Sequence, residues 1–203
     1  MEVSRVHRTI CWAAMGIAVT VFMTGCTALF GVVYMPDRAL ESAVRASLDR
    51  PFLWLTKRDM AQVREIQAPS RGVANLEGLQ YCTGMTVLNL RGNKVTSLTK
   101  LNGLRNIERL DVGENQIKNI DAVAGMIYLK ELVLYGEFNE IVDWRPLAAN
   151  VQAGGLGEGD TVVLPQKTTM DASGNPLPGF ADTYQILLDR GVRVIIGEPD
   201  SAA

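Results

Sequence analysis

The sequence predicts an α/β fold: a short, right-handed leucine-rich repeat solenoid of 22-residue units with an N-terminal helical cap. Three observations predict it. Leu88, Leu110 and Leu132 recur at a spacing of 22, and so do Leu90, Val112 and Leu134. Asn93 and Asn115 follow at the same offset. Val95 with Ile117, and Leu98 with Ile120, complete the period. A fixed spacing in this range, with L-x-L followed three residues later by Asn, marks stacked units that bury one another's apolar sides.

The chain starts with Arg5, His7 and Arg8, and an uncharged run follows from Thr9 to Met35. A basic flank before an apolar stretch is the order of a secretory signal or a membrane anchor. Residues 1–25 are read as that signal or anchor, and 26–35 as a tether. Within the run, Phe22-Met-Thr-Gly-Cys26 resembles a bacterial lipobox. The resemblance implies cleavage before Cys26 and lipidation of its sulfur. Thr27, where Asp is absent, would imply delivery to the outer membrane of a Gram-negative cell. The run is also long enough to span a bilayer as an uncleaved inner-membrane anchor. A plain cleaved signal peptide is the third reading. The first two place the domain in the bacterial cell envelope, outside the cytoplasm and held to a membrane.

Residues 36–62 form the expected helical cap. Asp37 follows Pro36 and precedes an apolar pattern at Leu40, Val44 and Leu48, so it caps a helix that ends near Asp49, before Pro51. Thr56 and Asp59 form a capping box for a second helix through Val63. Residues 63–150 carry the repeats. Met85, Leu88 and Leu90 alternate with Val87, Asn89 and Arg91, which puts one set inward and the other outward on a strand. Val63, Ile66, Ala68, Val73, Leu76, Leu79 and Cys82 repeat the register one unit earlier, with Arg71 in the Asn slot. One unit later Glu137 takes the Asn slot and Asn139 comes two residues late, an insertion over Gly136–Phe138. Residues 151–197 read as a degenerate repeat and C-terminal cap, and 198–203 as a tail. In that cap, Ala153–Gly159 reads as a flexible surface loop, Thr161–Leu164 as a strand and Pro165–Ser173 as an exposed insertion. Ala181–Arg190 reads as a helix and Val192–Ile196 as the closing strand.

The run Asn139-Glu-Ile-Val-Asp-Trp-Arg-Pro-Leu147 resembles the N-x-I-x-D-I-x-P-L unit of internalin-like bacterial leucine-rich repeats. The flanks agree. Met35-Pro-Asp-Arg-Ala-Leu-Glu-Ser-Ala-Val44 resembles the opening of their helical cap, and Leu76-Glu-Gly-Leu-Gln-Tyr-Cys82 their first repeat. Gly155–Val162, Gly174–Leu177 and Arg190–Val194 resemble their closing segment. The resemblance implies recognition of a partner through the concave strand face.

Composition narrows the chemistry. The formal net charge of −2 gives no basic surface for nucleic acid. The single histidine is His7, so a domain beginning near Pro36 holds none. Histidine-dependent nucleophiles, bases and metal sites are therefore excluded from it. Cys11, Cys26 and Cys82 make no C-x-x-C pair, and Cys82 occupies a Leu slot as a core thiol. No cofactor or metal site is implied; Glu137, Glu140 and Asp143 lack the spacing of a calcium loop.

The register also names the outward-facing columns. These are Glu65, Val87, Arg109, Glu131; then Gln67, Asn89, Asp111, Val133; then Pro69, Arg91, Gly113, Tyr135. Arg and Tyr are enriched in binding hot spots. Asn89, Arg91, Arg109, Asp111, Glu131, Val133 and Tyr135 are thus the candidate binding face. The expected function is a monomeric, membrane-tethered, non-catalytic module that binds a protein, or secondarily a glycan. The alternatives are a structural envelope lipoprotein and a carboxylate-based enzyme.

Overall fold

The computed structural model describes residues 31–49 and 54–198. The readings on residues 1–25, Cys26, Pro51 and 199–203 lie outside these. Six parallel strands form one sheet in sequence order: β1 (Glu65–Gln67), β2 (Val87–Asn89), β3 (Arg109–Asp111), β4 (Glu131–Val133), β5 (Thr161–Leu164) and β6 (Arg193–Ile196). The first four pair at the expected register, Glu65 with Val87, Val87 with Arg109, and Arg109 with Glu131. Between strands the chain returns through short 3-10 turns at Leu79–Tyr81, Thr99–Leu101 and Asp121–Gly125. The chain is an α/β leucine-rich repeat solenoid.

The core runs along the stack as one column of buried side chains. Ile66, Leu88, Leu110, Leu132 and Val162 are at most 1% exposed and stand at equivalent strand positions. Cys82 is buried among them, and burial pushes its thiol up to about 12, so it is an inert packing group. Trp144 fills the apolar slot after the last repeat and packs edge-on against Phe180, ring centroids 5.2 Å apart.

Three buried asparagines hold successive coils together. Asn93 Oδ1 accepts from the Arg71 and Val73 N–H groups at 3.0 and 2.9 Å. Its Nδ2 donates to the Ala68 and Leu90 carbonyls at 2.8 and 2.7 Å. Asn115 repeats this with the Val95 N–H and the Leu90, Val112 and Gly113 carbonyls. Asn139, despite its late position, does the same with the Ile117 N–H and the Val112 and Leu134 carbonyls. The turn Gly136–Phe138 absorbs the two extra residues and returns Asn139 to register.

The cap closes the first edge. Helix α1 (Arg38–Leu48) is capped by Asp37, whose Oδ1 accepts from Ala39 and Leu40, and it ends at Asp49 in a left-handed conformation (φ 52°). Asp37 Oδ2 also accepts from Ala74 and Asn75, so one carboxylate joins cap to first coil. Burial pushes this carboxyl up, but the four backbone donors outweigh it and hold it below its ordinary value. Helix α2 (Lys57–Met60) has the capping box of Thr56 and Asp59 but stops before Ala61. Val63, expected inside it, instead opens the first coil's core.

Four further expectations need correction. The tether reading of 26–35 does not hold for its described part. Gly31–Met35 is docked on the cap: Val32 pairs with Thr56, Val33 donates to Leu55 at 2.7 Å, and Val33 and Met35 are buried. The apolar side chains there gain a core rather than solvent. The glycine segment at 153–159 is not simply a flexible loop. Helix α3 (Arg145–Gln152) buries Asn150, which donates to the Val123 and Met126 carbonyls and accepts from Leu156. A Cβ at Gly155 would collide with the Asn150 amide, so the close approach needs glycine. The insertion 165–173 contains helix α4 (Gln166–Thr169), whose Thr169 is fully buried and donates to Pro165. Helix α5 (Pro178–Asp189) begins three residues before the expected start, at a proline suited to a first helical turn.

Replacing Asn115 by Ala orphans backbone groups in two coils, each worth roughly 1–3 kcal/mol when left unpaired. Urea unfolding of Asn115→Ala is expected to show a loss of about 3 kcal/mol. The exposed Asn119→Ala control should stay within about 0.5 kcal/mol of the parent.

Candidate binding face

The outward side of the sheet changes character along the stack. Over β1–β3 it is polar, with Glu65, Gln67 and Arg109 exposed and Asn89 and Asp111 half-buried. Over β4–β6 it turns apolar: Val133, Tyr135 and Val163 form a small second cluster against Ile195. The period dictates this placement, because the residue after each core leucine must point outward. Val133 and Tyr135, expected as exposed face residues, are in fact buried at 8% and 4%. They cover each other and Val163, which a column drawn from one strand at a time does not reveal.

The third column assembles a mixed cluster. Arg91 Nη2 lies 3.0 Å from Glu114 Oε1, and Tyr135 Oη donates to the same oxygen at 2.9 Å. The Arg91 guanidinium also stacks over the Tyr135 ring, 5.0 Å from its centroid. Tyr135 lies across Gly113, where a Cβ would come within 3.0 Å of the ring. Asp111 Oδ1 accepts from the Gly113 N–H at 3.0 Å, and Asn89 Oδ1 accepts from Arg91 N–H at 3.1 Å. These two hold the backbone at the ends of β3 and β2. Arg109 and Glu131 face each other loosely at 3.9 Å, both largely exposed.

Charge follows from these contacts. The Arg91 hydrogen bond, then that of Tyr135, holds the Glu114 carboxyl below its ordinary value. The same bond to Glu114 raises Arg91. Burial raises Asp111, with the Gly113 N–H and Arg91 pulling the other way. Burial first, and then the hydrogen bond to Glu114, push the Tyr135 phenol up to about 12.

Glu114 was not among the sequence candidates, yet it is the hub. It stands at φ 53°, a left-handed conformation that costs a residue with a Cβ about 1 kcal/mol. The signal for it lies in the repeat: its slot is filled by Ser70 (φ 53°), Gly92 (φ 70°) and Gly136 (φ 127°). Glutamate thus stands in a slot that two of the other three coils give to glycine, and its carboxylate there meets both Arg91 and Tyr135.

The acidic turn carries less. Glu140 faces Lys118 at 3.4 Å and Asp143 pairs with Arg145 at 2.6 Å. Among the described residues no group of three His, Cys, Asp or Glu side chains is placed to hold a metal.

Two outcomes test this geometry. Because the Tyr135 phenol is raised, its contribution to stability is complete below about pH 10 and is lost as the pH rises toward about 12. Absorbance titration should therefore show a phenolate step near pH 12 that disappears in Tyr135→Phe. Glu114→Gly relieves the backbone and loses an exposed ion pair, so its stability should fall within about 1 kcal/mol of the parent. Nuclear magnetic resonance should show the Arg91 side chain released.

Residues 83–125 match the family model described as leucine-rich repeats in two copies. Among solved structures, an internalin (InlF) from Listeria monocytogenes is 24% identical with a TM-score of 0.64, the match covering 80% of this chain and 43% of that one. The chain thus spans less than half the length of that relative. Internalin C2 from the same organism is 24% identical with a TM-score of 0.48, covering 79% of this chain and 75% of that one. The fold is that of an internalin-like leucine-rich repeat solenoid.

Proposed function

We propose that this chain is a membrane-tethered, non-catalytic recognition module of the bacterial envelope that binds a protein partner through the outer face of its sheet. The observation that carries the reading is the Arg91–Glu114–Tyr135 cluster. It orders two side chains of the types that anchor interfaces, and it does so on a strained backbone position that the repeat elsewhere gives to glycine or serine. Beside it, exposed Arg109 and Glu131 supply a charged margin, and partly exposed Ile195, lying over buried Val133 and Val163, is the accessible part of an apolar floor. An apolar floor with a polar margin is the usual anatomy of a protein interface. Asn89 and Asp111 shape the face by holding its backbone. The tether is supported by the order of basic flank, uncharged run and Cys26 in the sequence.

A photocrosslinking residue replacing Arg109, compared with one replacing Thr99 on an exposed return turn, tests the reading in living cells. A single discrete adduct from position 109 alone is expected. The additional change Arg91→Gln, which puts no carboxylate beside Glu114 and Asp111, should abolish it while lowering stability by no more than about 1 kcal/mol. Equal adducts, or none at position 109, would assign the chain to envelope structure instead.

A further inference from the structure

The end of the molecule where the chain enters the cap carries an aromatic pair that the fold leaves outside. The bridge of Val32 with Thr56, with Val33 donating to Leu55 and Lys57 donating to Gly31, sets an antiparallel register. That register puts Tyr34 opposite Trp54. Alternation drives Val33, Met35 and Leu55 into the core, at 8%, 5% and 3% exposure. The same alternation leaves Tyr34 79% and Trp54 62% exposed. Arg58 is exposed just beyond, and Lys57 holds its ammonium over the Tyr81 ring at 4.6 Å.

We infer that Tyr34 and Trp54 form a membrane-docking edge that rests the cap on the lipid headgroup layer. The inference rests on the membrane-tether reading above. Three observations select lipid over other occupants. First, the uncharged run Thr9–Phe30 leads directly into Gly31, three residues before Tyr34. From Cys26 to Gly31 an extended chain reaches at most about 18 Å, so a lipid on Cys26 leaves the pair close to the bilayer. An uncleaved helix leaves it closer still. Second, the pair consists of the two residue types, Trp and Tyr, whose amphipathic rings concentrate at the membrane–water interface. Third, Arg58, exposed four residues after Trp54, adds a cation suited to lipid phosphates. In this arrangement the domain is held at two places, and the sheet stands at a set angle to the membrane instead of swinging from a flexible linker.

The test uses the full chain, purified from bacterial membranes and reconstituted into phosphatidylethanolamine–phosphatidylglycerol vesicles whose acyl chains are brominated near the headgroup. Trp12→Phe removes the tryptophan of the uncharged run. The emission lost on adding Trp54→Phe then belongs to Trp54, since Trp144 is buried and common to both variants. Flotation with the vesicles reports the tether. Quenching of most of the Trp54 emission by brominated lipid, with little quenching by aqueous iodide, is the expected result. Flotation with iodide quenching alone would show Trp54 in water and overturn the docking edge while sparing the tether. Flotation with neither quencher effective would show the pair covered by protein and overturn it equally. Failure to float would remove the tether reading and the docking edge together.

Discussion

The rest of the structure depends on one interaction, the buried side-chain amide that bonds two coils at once. Strand-to-turn geometry in each coil leaves carbonyls and N–H groups inside the stack, where unpaired they would cost more than the packing returns. Asn93, Asn115 and Asn139 meet them with an oxygen for the preceding coil's N–H and a nitrogen for carbonyls of both coils. Aspartate could not donate, and a longer side chain would not sit at that depth. Because each amide bonds backwards into its neighbour, coils cannot slip relative to one another. The strand register of 22 residues is the visible result.

The repeat lengthens after β4. Between β4 and β5 the pairing offset grows, Glu131 opposite Thr161, and between β5 and β6 it grows again, Thr161 opposite Arg193. There helices α3 and α5 replace the 3-10 turns on the return path, and Asn150 takes over the carbonyls of the Asp121–Gly125 turn. Val133, Val163 and Ile195 occupy that part of the sheet, and Tyr135 lies over Gly113 at its border with the polar strands.

How much of this was legible in the sequence follows from the range of each interaction. The repeat register was legible because it is written in spacing, and so were the Asp37 cap, the Thr56–Asp59 box and the core roles of Cys82 and Trp144. Val133 and Tyr135 were legible as outward-facing but not as buried, since their cover comes from Val163 and Ile195 on later strands. Glu114 was not legible, because strand periodicity carries no signal for a turn position whose role depends on a left-handed conformation shared with Ser70, Gly92 and Gly136. Gly155 and Thr169 looked like loop residues by composition. Their partners, Asn150 and Pro165, lie in elements whose packing the local sequence does not express.

The two ends of the stack impose a direction on the proposed function. Neighbouring strands lie about 4.8 Å apart, so β6 stands roughly 24 Å from β1 along the sheet. In the proposed docking of the cap on lipid through Tyr34 and Trp54, β1 would be the strand nearest the membrane and β4–β6 the part farthest from it. The Arg91–Glu114–Tyr135 cluster sits between these halves. In the proposed orientation a partner would meet the Ile195 end of the sheet first and the charged strands last. The strained Glu114 turn lies at the border of the polar and apolar halves, where a carboxylate that fixes both Arg91 and Tyr135 would set them for a single bound pose.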